Sequence, residues 1–243
     1  MDEIRKNFHS DLESARAEVV RLGASLTESI PRATAVLLSG DLEGADYLVQ
    51  ADDEFDGRSA ELEASCFEIL ALQAPVAADL RQIVAIIKIA GELERSADLV
   101  VNICKAARRI YGHDIDPMLR GVISKMSEQA QKLFASTMEA FEEIDSAKAA
   151  AIDDMDSYLD SLHRQFIQQI FESHSKAKID LQVAVQLAVV ARFYERIGDH
   201  AVNVSEKTRF IATGWVKERD GISRYKARVG DRTGEILLPR TES

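Results

Sequence analysis

Tyr194-Glu195-Arg196-Ile197-Gly198-Asp199-His200-Ala201-Val202-Asn203 repeats a pattern that the chain has already used: 101 residues earlier stand Glu94-Arg95, Asp98 and Asn102. The same displacement lays Asp79-Leu80 on Asp180-Leu181. Further upstream a displacement of 104 lays Asp52 on Asp156, Asp56 on Asp160, Phe55 on Leu159 and Leu62 on Phe166. A three-residue shortening of one connection accounts for the change of displacement, so the chain is one unit used twice.

Working outward from these stretches, apolar residues recur with a period of 3.6. They predict six helices near residues 3–39, 41–73, 76–111, 116–144, 146–173 and 176–213. Ser39-Gly40-Asp41 parts the first two, with Asp41 placed to cap the second. Pro75 is expected at the first turn of the third, Tyr111 to Pro117 divides the halves, and Pro31 is expected to kink the first helix. Long helices with short connections pack as antiparallel bundles. The predicted fold is all-α: two tandem antiparallel three-helix bundles, the first repeat over 1–112 and the second over 113–213. Residues 214–243 form a tail without helical periodicity, expected to be loosely attached and easily cleaved. Gly214 marks the helix end and Trp215 offers a last apolar anchor.

Composition narrows the function. Hydrophobic residues make up 46% of 243, enough for a core, and only 4 Pro and 12 Gly argue against a loop-rich protein. A net charge of −11 repels a phosphate backbone, so nucleic-acid binding is not expected. The N-terminus, Met1-Asp2-Glu3-Ile4-Arg5-Lys6, lacks the apolar run of a signal peptide. The longest low-charge run, Leu181–Ala191, is too short to cross a bilayer. Cys66 and Cys104 fall at apolar helical positions and read as small buried thiols in a reducing compartment. The expected location is the cytoplasm.

The chemistry-bearing residues are acids. On the third helix Leu80, Ile87, Glu94 and Val101 share one heptad position; on the sixth, Leu181, Ala188, Glu195 and Val202 do the same. One Glu interrupts each apolar progression, with Asp98 or Asp199 four residues on, and each is expected to face a packed neighbour. Small residues (Ala90, Ala97, Ala191, Gly198) let that neighbour come close. The second helix of each unit adds Asp52 with Asp56, and Asp156 with Asp160. A single pair with this spacing is ordinarily a solvated face. Four pairs at matched positions point to hard cations with oxygen ligands. The candidate metal ligands are therefore Asp52, Asp56, Glu94, Asp98, Asp156, Asp160, Glu195 and Asp199, in two separate sites. Asn102 and Asn203 continue each acidic line, either as groups behind the ligands or as helix-to-helix hydrogen bonds. Arg95 and Arg196 point away and have no chemical role.

Other constellations are missing from the sequence. The five His do not repeat between halves, and only Asp160-Ser161-Leu162-His163 approaches the acid-x-x-His element of a di-iron bundle. There is no phosphate-cradling Gly loop, nucleophile elbow or Cys/His zinc spacing. An enzyme is not expected. Two competing readings are a metal-dependent helical-bundle enzyme and a purely structural helical dimer.

At Phe67-Glu68-Ile69-Leu70-Ala71-Leu72-Gln73-Ala74-Pro75-Val76-Ala77-Ala78-Asp79-Leu80-Arg81, at Glu92-Leu93-Glu94-Arg95-Ser96-Ala97-Asp98, and at 194–203, the chain resembles the PhoU family of phosphate-uptake regulators. The resemblance covers about residues 3–213. It departs at Ser96-Ala97, where the family pattern is an Ile-Gly pair like Ile197-Gly198, and this is expected to crowd the first site slightly. The resemblance implies a cytoplasmic negative regulator of the phosphate-starvation response. Such a regulator acts between a phosphate ABC transporter, through its ATPase subunit, and a sensor histidine kinase. It also implies a homodimer, peripheral membrane association through those partners only, and metal ions, with iron or zinc clusters in some members and magnesium or manganese also possible.

Overall fold

The computed structural model describes residues 2–176 and 178–216, with the side chains of 2–7 left aside. Among them run six helices: α1 (Asp2–Ser39), α2 (Leu42–Gln73), α3 (Ala77–Arg109), α4 (Pro117–Glu143), α5 (Ser146–Ser175) and α6 (Leu181–Thr213). Residues 217–243, and with them the expectation of a cleavable tail, lie outside the described residues.

Local chemistry explains most of the boundaries. Gly40 turns the chain at φ 70°, and the Asp41 carboxylate accepts from Gly44 N at 2.9 Å to start α2. Asp116 accepts from Met118 N at 3.1 Å, with Pro117 at the first helical position of α4. Asp145 accepts from Ala147 N and Lys148 N at 2.8 and 3.0 Å to start α5. Gly214, at φ 74°, ends α6, and the Arg209 guanidinium stacks 3.8 Å from the Trp215 ring centroid.

Two boundaries differ from the sequence reading. Pro75 stands outside α3 rather than in its first turn, because Ala74 closes α2 in the left-handed region and Val76 is extended. The sixth helix starts at Leu181 instead of 176. Within the preceding connection the Ile179 carbonyl bonds His174 Nδ1 at 3.1 Å, and Lys178 reaches Asp116 at 3.5 Å. Pro31 is carried inside an uninterrupted α1.

The two repeats share one continuous apolar core, from Phe8 to Ile211. They meet where α1 packs on α4 and α3 on α6, the latter as extensively as α5 on α6. Both pairings are antiparallel. Arg16 bonds the Glu142 carbonyl at 3.1 Å near one end of the α1–α4 contact, and Arg120 bonds the Leu38 carbonyl at 2.7 Å near the other. Gln182 bonds the Arg109 carbonyl at 3.3 Å, while Asn203 reaches Glu92 at 3.0 Å.

The α1–α4 contacts reveal a two-fold relation. Thr34 bonds Ser127 at 2.7 Å. A displacement of 104 carries Thr34 to Met138 and Ser127 back to Gly23, and these two also touch. A Cβ on Gly23 would lie 2.6 Å from Met138 Cγ. The duplication is therefore folded as a pseudo-two-fold pair rather than as beads on a string. Tyr194, fully buried, places its hydroxyl 2.6 Å from Thr34 Oγ1 and ties α6 into this contact.

Two acidic facets and a polar bridge between the repeats

Each repeat gathers its acids along the outer groove between its second and third helices. In the first, burial pushes Asp52 up to about 6, helped by the negative charges of Asp56 and Asp98. Asp56 is raised by burial and by Asp98. In the second, burial pushes Asp156 up to about 7, with Asp160, Asp199 and Glu195 adding repulsion. Glu195 is raised by burial and by Asp199. The structure thus brings Asp52, Asp56 and Asp98 together, and Asp156, Asp160, Glu195 and Asp199.

Burial departs from the heptad reading. Glu94 and Asp98 are exposed, whereas Asp52, Asp156, Asp160 and Glu195 are half-buried. The progression through Leu80, Ile87, Glu94 and Val101 does not hold the packed face of α3: it is exposed at Leu80 and Glu94 and buried only at Val101. Leu80 itself is 41% exposed, and the core is filled by Ile83, Ile86, Ala90, Leu93 and Ala97. An α-helix drifts against a strict seven-residue repeat, so three heptads do not hold one face.

The facets differ at one small residue. A Cβ on Gly198 would overlap Asp156 Oδ1 and lie 2.8 Å from Leu159 Cδ2. Asp156 therefore sits against the backbone of α6. In the first repeat Ala97 occupies the matching place, and beside Asp52 opens a cavity of about 220 Å³ bordered by Arg32, Tyr47, Arg58 and Ala97. Glu195 Oε2 is buried without a hydrogen-bond partner, while Arg192 pairs with the other oxygen.

The donor chemistry fits a hard cation. Crowded carboxylates held part-protonated near neutral pH, and one buried oxygen without a donor, are what a bound ion would relieve. As placed, no three His, Cys, Asp or Glu side chains converge on one point among the described residues, so ligation by three would require side-chain rotation.

Sequence reasoning missed a third polar feature. Glu92, in α3, takes His200 Nδ1 at 2.7 Å and Asn203 Nδ2 at 3.0 Å from α6, with Arg95 at 2.7 Å on its other oxygen. Burial would raise Glu92, but these three hydrogen bonds bring it down to about 2. Asn203 is thus a helix-to-helix hydrogen bond. The repeat had marked Asn203 alone, because the positions matching Glu92 and His200 are Phe193 and Leu99. Cys66 and Cys104 are buried free thiols.

Fold and facets together define a class: an internally duplicated, all-helical protein with an acid-lined outer groove in each half. The PhoU domain model matches residues 19–107 and again 123–208, and the chain belongs to the PhoU family. It is 32% identical over 220 residues to the phosphate-specific transport system accessory protein PhoU homolog 1 of Mycobacterium leprae, covering 90% of this chain and 98% of that protein. It is 30% identical over 211 residues to the PhoU homolog of Clostridium acetobutylicum, covering 86% and 96%. Two crystal structures share the fold at 23% identity. PhoU from Pseudomonas aeruginosa has a TM-score of 0.80, covering 86% of this chain and 100% of that one. The phosphate transport system regulatory protein PhoU from Streptococcus pneumoniae has a TM-score of 0.79, covering 86% and 98%. This is a family of accessory proteins, not of enzymes. No helix among the described residues is long and apolar enough to cross a membrane.

Proposed function

We propose that this protein is a cytoplasmic accessory regulator of phosphate transport that restrains the phosphate-starvation response. It links the ATPase subunit of a phosphate ABC transporter to a sensor histidine kinase and works as a homodimer. One observation carries the reading. The Mycobacterium leprae relative, matched over 98% of its length, is named an accessory protein of a phosphate-specific transport system. The fold supports an adaptor, since its outer surfaces are long helical faces. Deleting the gene and measuring a starvation-responsive reporter in phosphate-rich medium tests it. The expected result is a reporter that stays on; a normally silent reporter with normal phosphate uptake would overturn the reading. Sedimentation of the pure protein checks the dimer.

The acidic facets are proposed to hold divalent or trivalent cations, iron or zinc among them, with Asp52, Asp56, Glu94 and Asp98 in one and Asp156, Asp160, Glu195 and Asp199 in the other. What supports this is the upward shift of Asp52 and Asp156 and the unpartnered Glu195 oxygen. Elemental analysis, with calorimetric titration of iron, zinc, manganese and magnesium, decides it. Protein that neither retains nor takes up a stoichiometric ion would return these acids to solvated surface.

A further inference from the structure

Each acidic facet continues into a partly exposed apolar stripe on the same helix face, with Ile87 and Ala188 resting against the core. Along α3, Leu80, Val84, Ile87, Gly91, Glu94 and Asp98 follow one another at alternating spacings of four and three, so they share one side of the helix over about 27 Å. Displaced by 101, α6 presents Leu181, Val185, Ala188, Arg192, Glu195 and Asp199. The paired helix contributes in both halves: Phe67 on α2 is 53% exposed, and its counterpart Phe171 on α5 is 68% exposed. Leu181 is 65% and Val185 51% exposed. Large apolar side chains left in solvent at matched positions of both repeats are not explained by packing within the chain.

We infer that the two grooves are docking sites for one recognition element presented twice: an amphipathic helix, apolar at one end and basic at the other, supplied by each half of a two-fold symmetric partner. Three observations set the occupant. The apolar end requires Leu- or Phe-like residues at helical spacing. The acidic end, when no cation occupies it, requires positive charge to balance its carboxylates. The antiparallel α3–α6 and α1–α4 pairings relate the two grooves by the pseudo-two-fold axis, so one groove runs opposite to the other, as two copies in a symmetric dimer would. The grooves are not identical: in the second Arg192 pairs with Glu195, while in the first the Arg95 guanidinium lies 3.6 Å from where a Cβ on Gly91 would stand. This deepens the adaptor reading by naming the surface, and its test uses neither transporter nor metal, so it can fail while that reading stands.

The probe is a fluorescent synthetic 18-residue helix with Leu at three successive core positions and Lys in the following two turns. Titrated calorimetrically against the full chain, it is expected to bind with a stoichiometry of two. Phe67→Glu with Leu80→Glu removes one site, and Phe171→Glu with Leu181→Glu removes the other, each by tenfold or more, with unchanged circular dichroism. Two such helices joined by a flexible linker bind at least ~100-fold more tightly than one. The inference is overturned by a single site, by binding that neither pair of substitutions affects, or by no binding. It is also overturned if those substitutions dissolve a self-association of the chain, which would make a second copy the occupant, or if lipid vesicles take up the protein through the same residues.

Discussion

The two acidic facets descend from one design and have diverged in their tightness. In the second repeat Gly198 gives up its side chain, Asp156 rests against the backbone of α6, and burial with three neighbouring acids holds it near 7. In the first, Ala97 keeps a methyl at the matching place, a cavity opens beside Asp52, and that carboxyl reaches only about 6. One missing methyl group thus separates a compact facet from a looser one. Burial is the largest cause in both facets; the second adds one more neighbouring acid, and in the first Lys105 pulls Asp52 back down.

The bridge between the repeats is where the symmetry is most broken, and breaking it carries the largest expected effect. Glu92→Ala leaves His200 and Asn203 without their acceptor at a largely buried contact and should cost about 2–3 kcal/mol in urea unfolding. Substituting its counterpart Phe193 by Leu should cost under about 1.5 kcal/mol. Equal losses would show that the bridge is no more important than its apolar image.

Exchanging the small residues should interconvert the facets. Gly198→Ala forces a methyl into Asp156 and Leu159, with an expected loss of about 2 kcal/mol and weaker cation uptake by the second facet. Ala97→Gly should cost about 1 kcal/mol of helix propensity while drawing Asp52 closer to α3. If Gly198→Ala is neutral in thermal melts, Asp156 does not depend on the missing methyl.

Proton linkage gives a finer comparison. Both Asp52 and Asp156 are raised above their unfolded value of 3.8. The folded state therefore holds their protons more firmly, and the stability this supplies is complete below pH 3.8 and is lost as pH rises. The loss extends to about pH 6 for Asp52 and to about pH 7 for Asp156. Metal-free protein carrying Asp156→Asn should lose more of this slope than protein carrying Asp52→Asn, and saturating magnesium or manganese should flatten the wild-type slope. Melts from pH 4 to 8 in chelator provide the check; identical slopes for the two variants would abolish the distinction.

The smallest effect separates Glu94 from Glu195. Leu at either position should leave the chain folding at least as well as before. Glu94→Leu, on an exposed rim, should stay within about 0.5 kcal/mol. Glu195→Leu removes a buried oxygen that has no partner and should stabilise by about 1 kcal/mol. A clear loss of metal-free stability in either would mean that these acids hold the bundle together through protein contacts.

The sequence by itself determined the helices and the duplication, and it marked eight matched acids as candidates. Helix length and capping are local properties, written in period 3.6, in Asp41, Asp116 and Asp145, and in Gly40 and Gly214; repetition doubled every such signal. Tertiary structure alone decided which acids are buried, because the heptad drift that leaves Glu94 outside and the contact that draws in Asp156 depend on where a neighbouring helix lies. It alone decided that the repeats share one core about a pseudo-two-fold axis. And it alone produced the Glu92–His200–Asn203 bridge, whose partners are more than a hundred residues apart and of which Glu92 and His200 have no like residue in the other half. Pairings between distant side chains leave no periodic trace, so only the packed helices could reveal them.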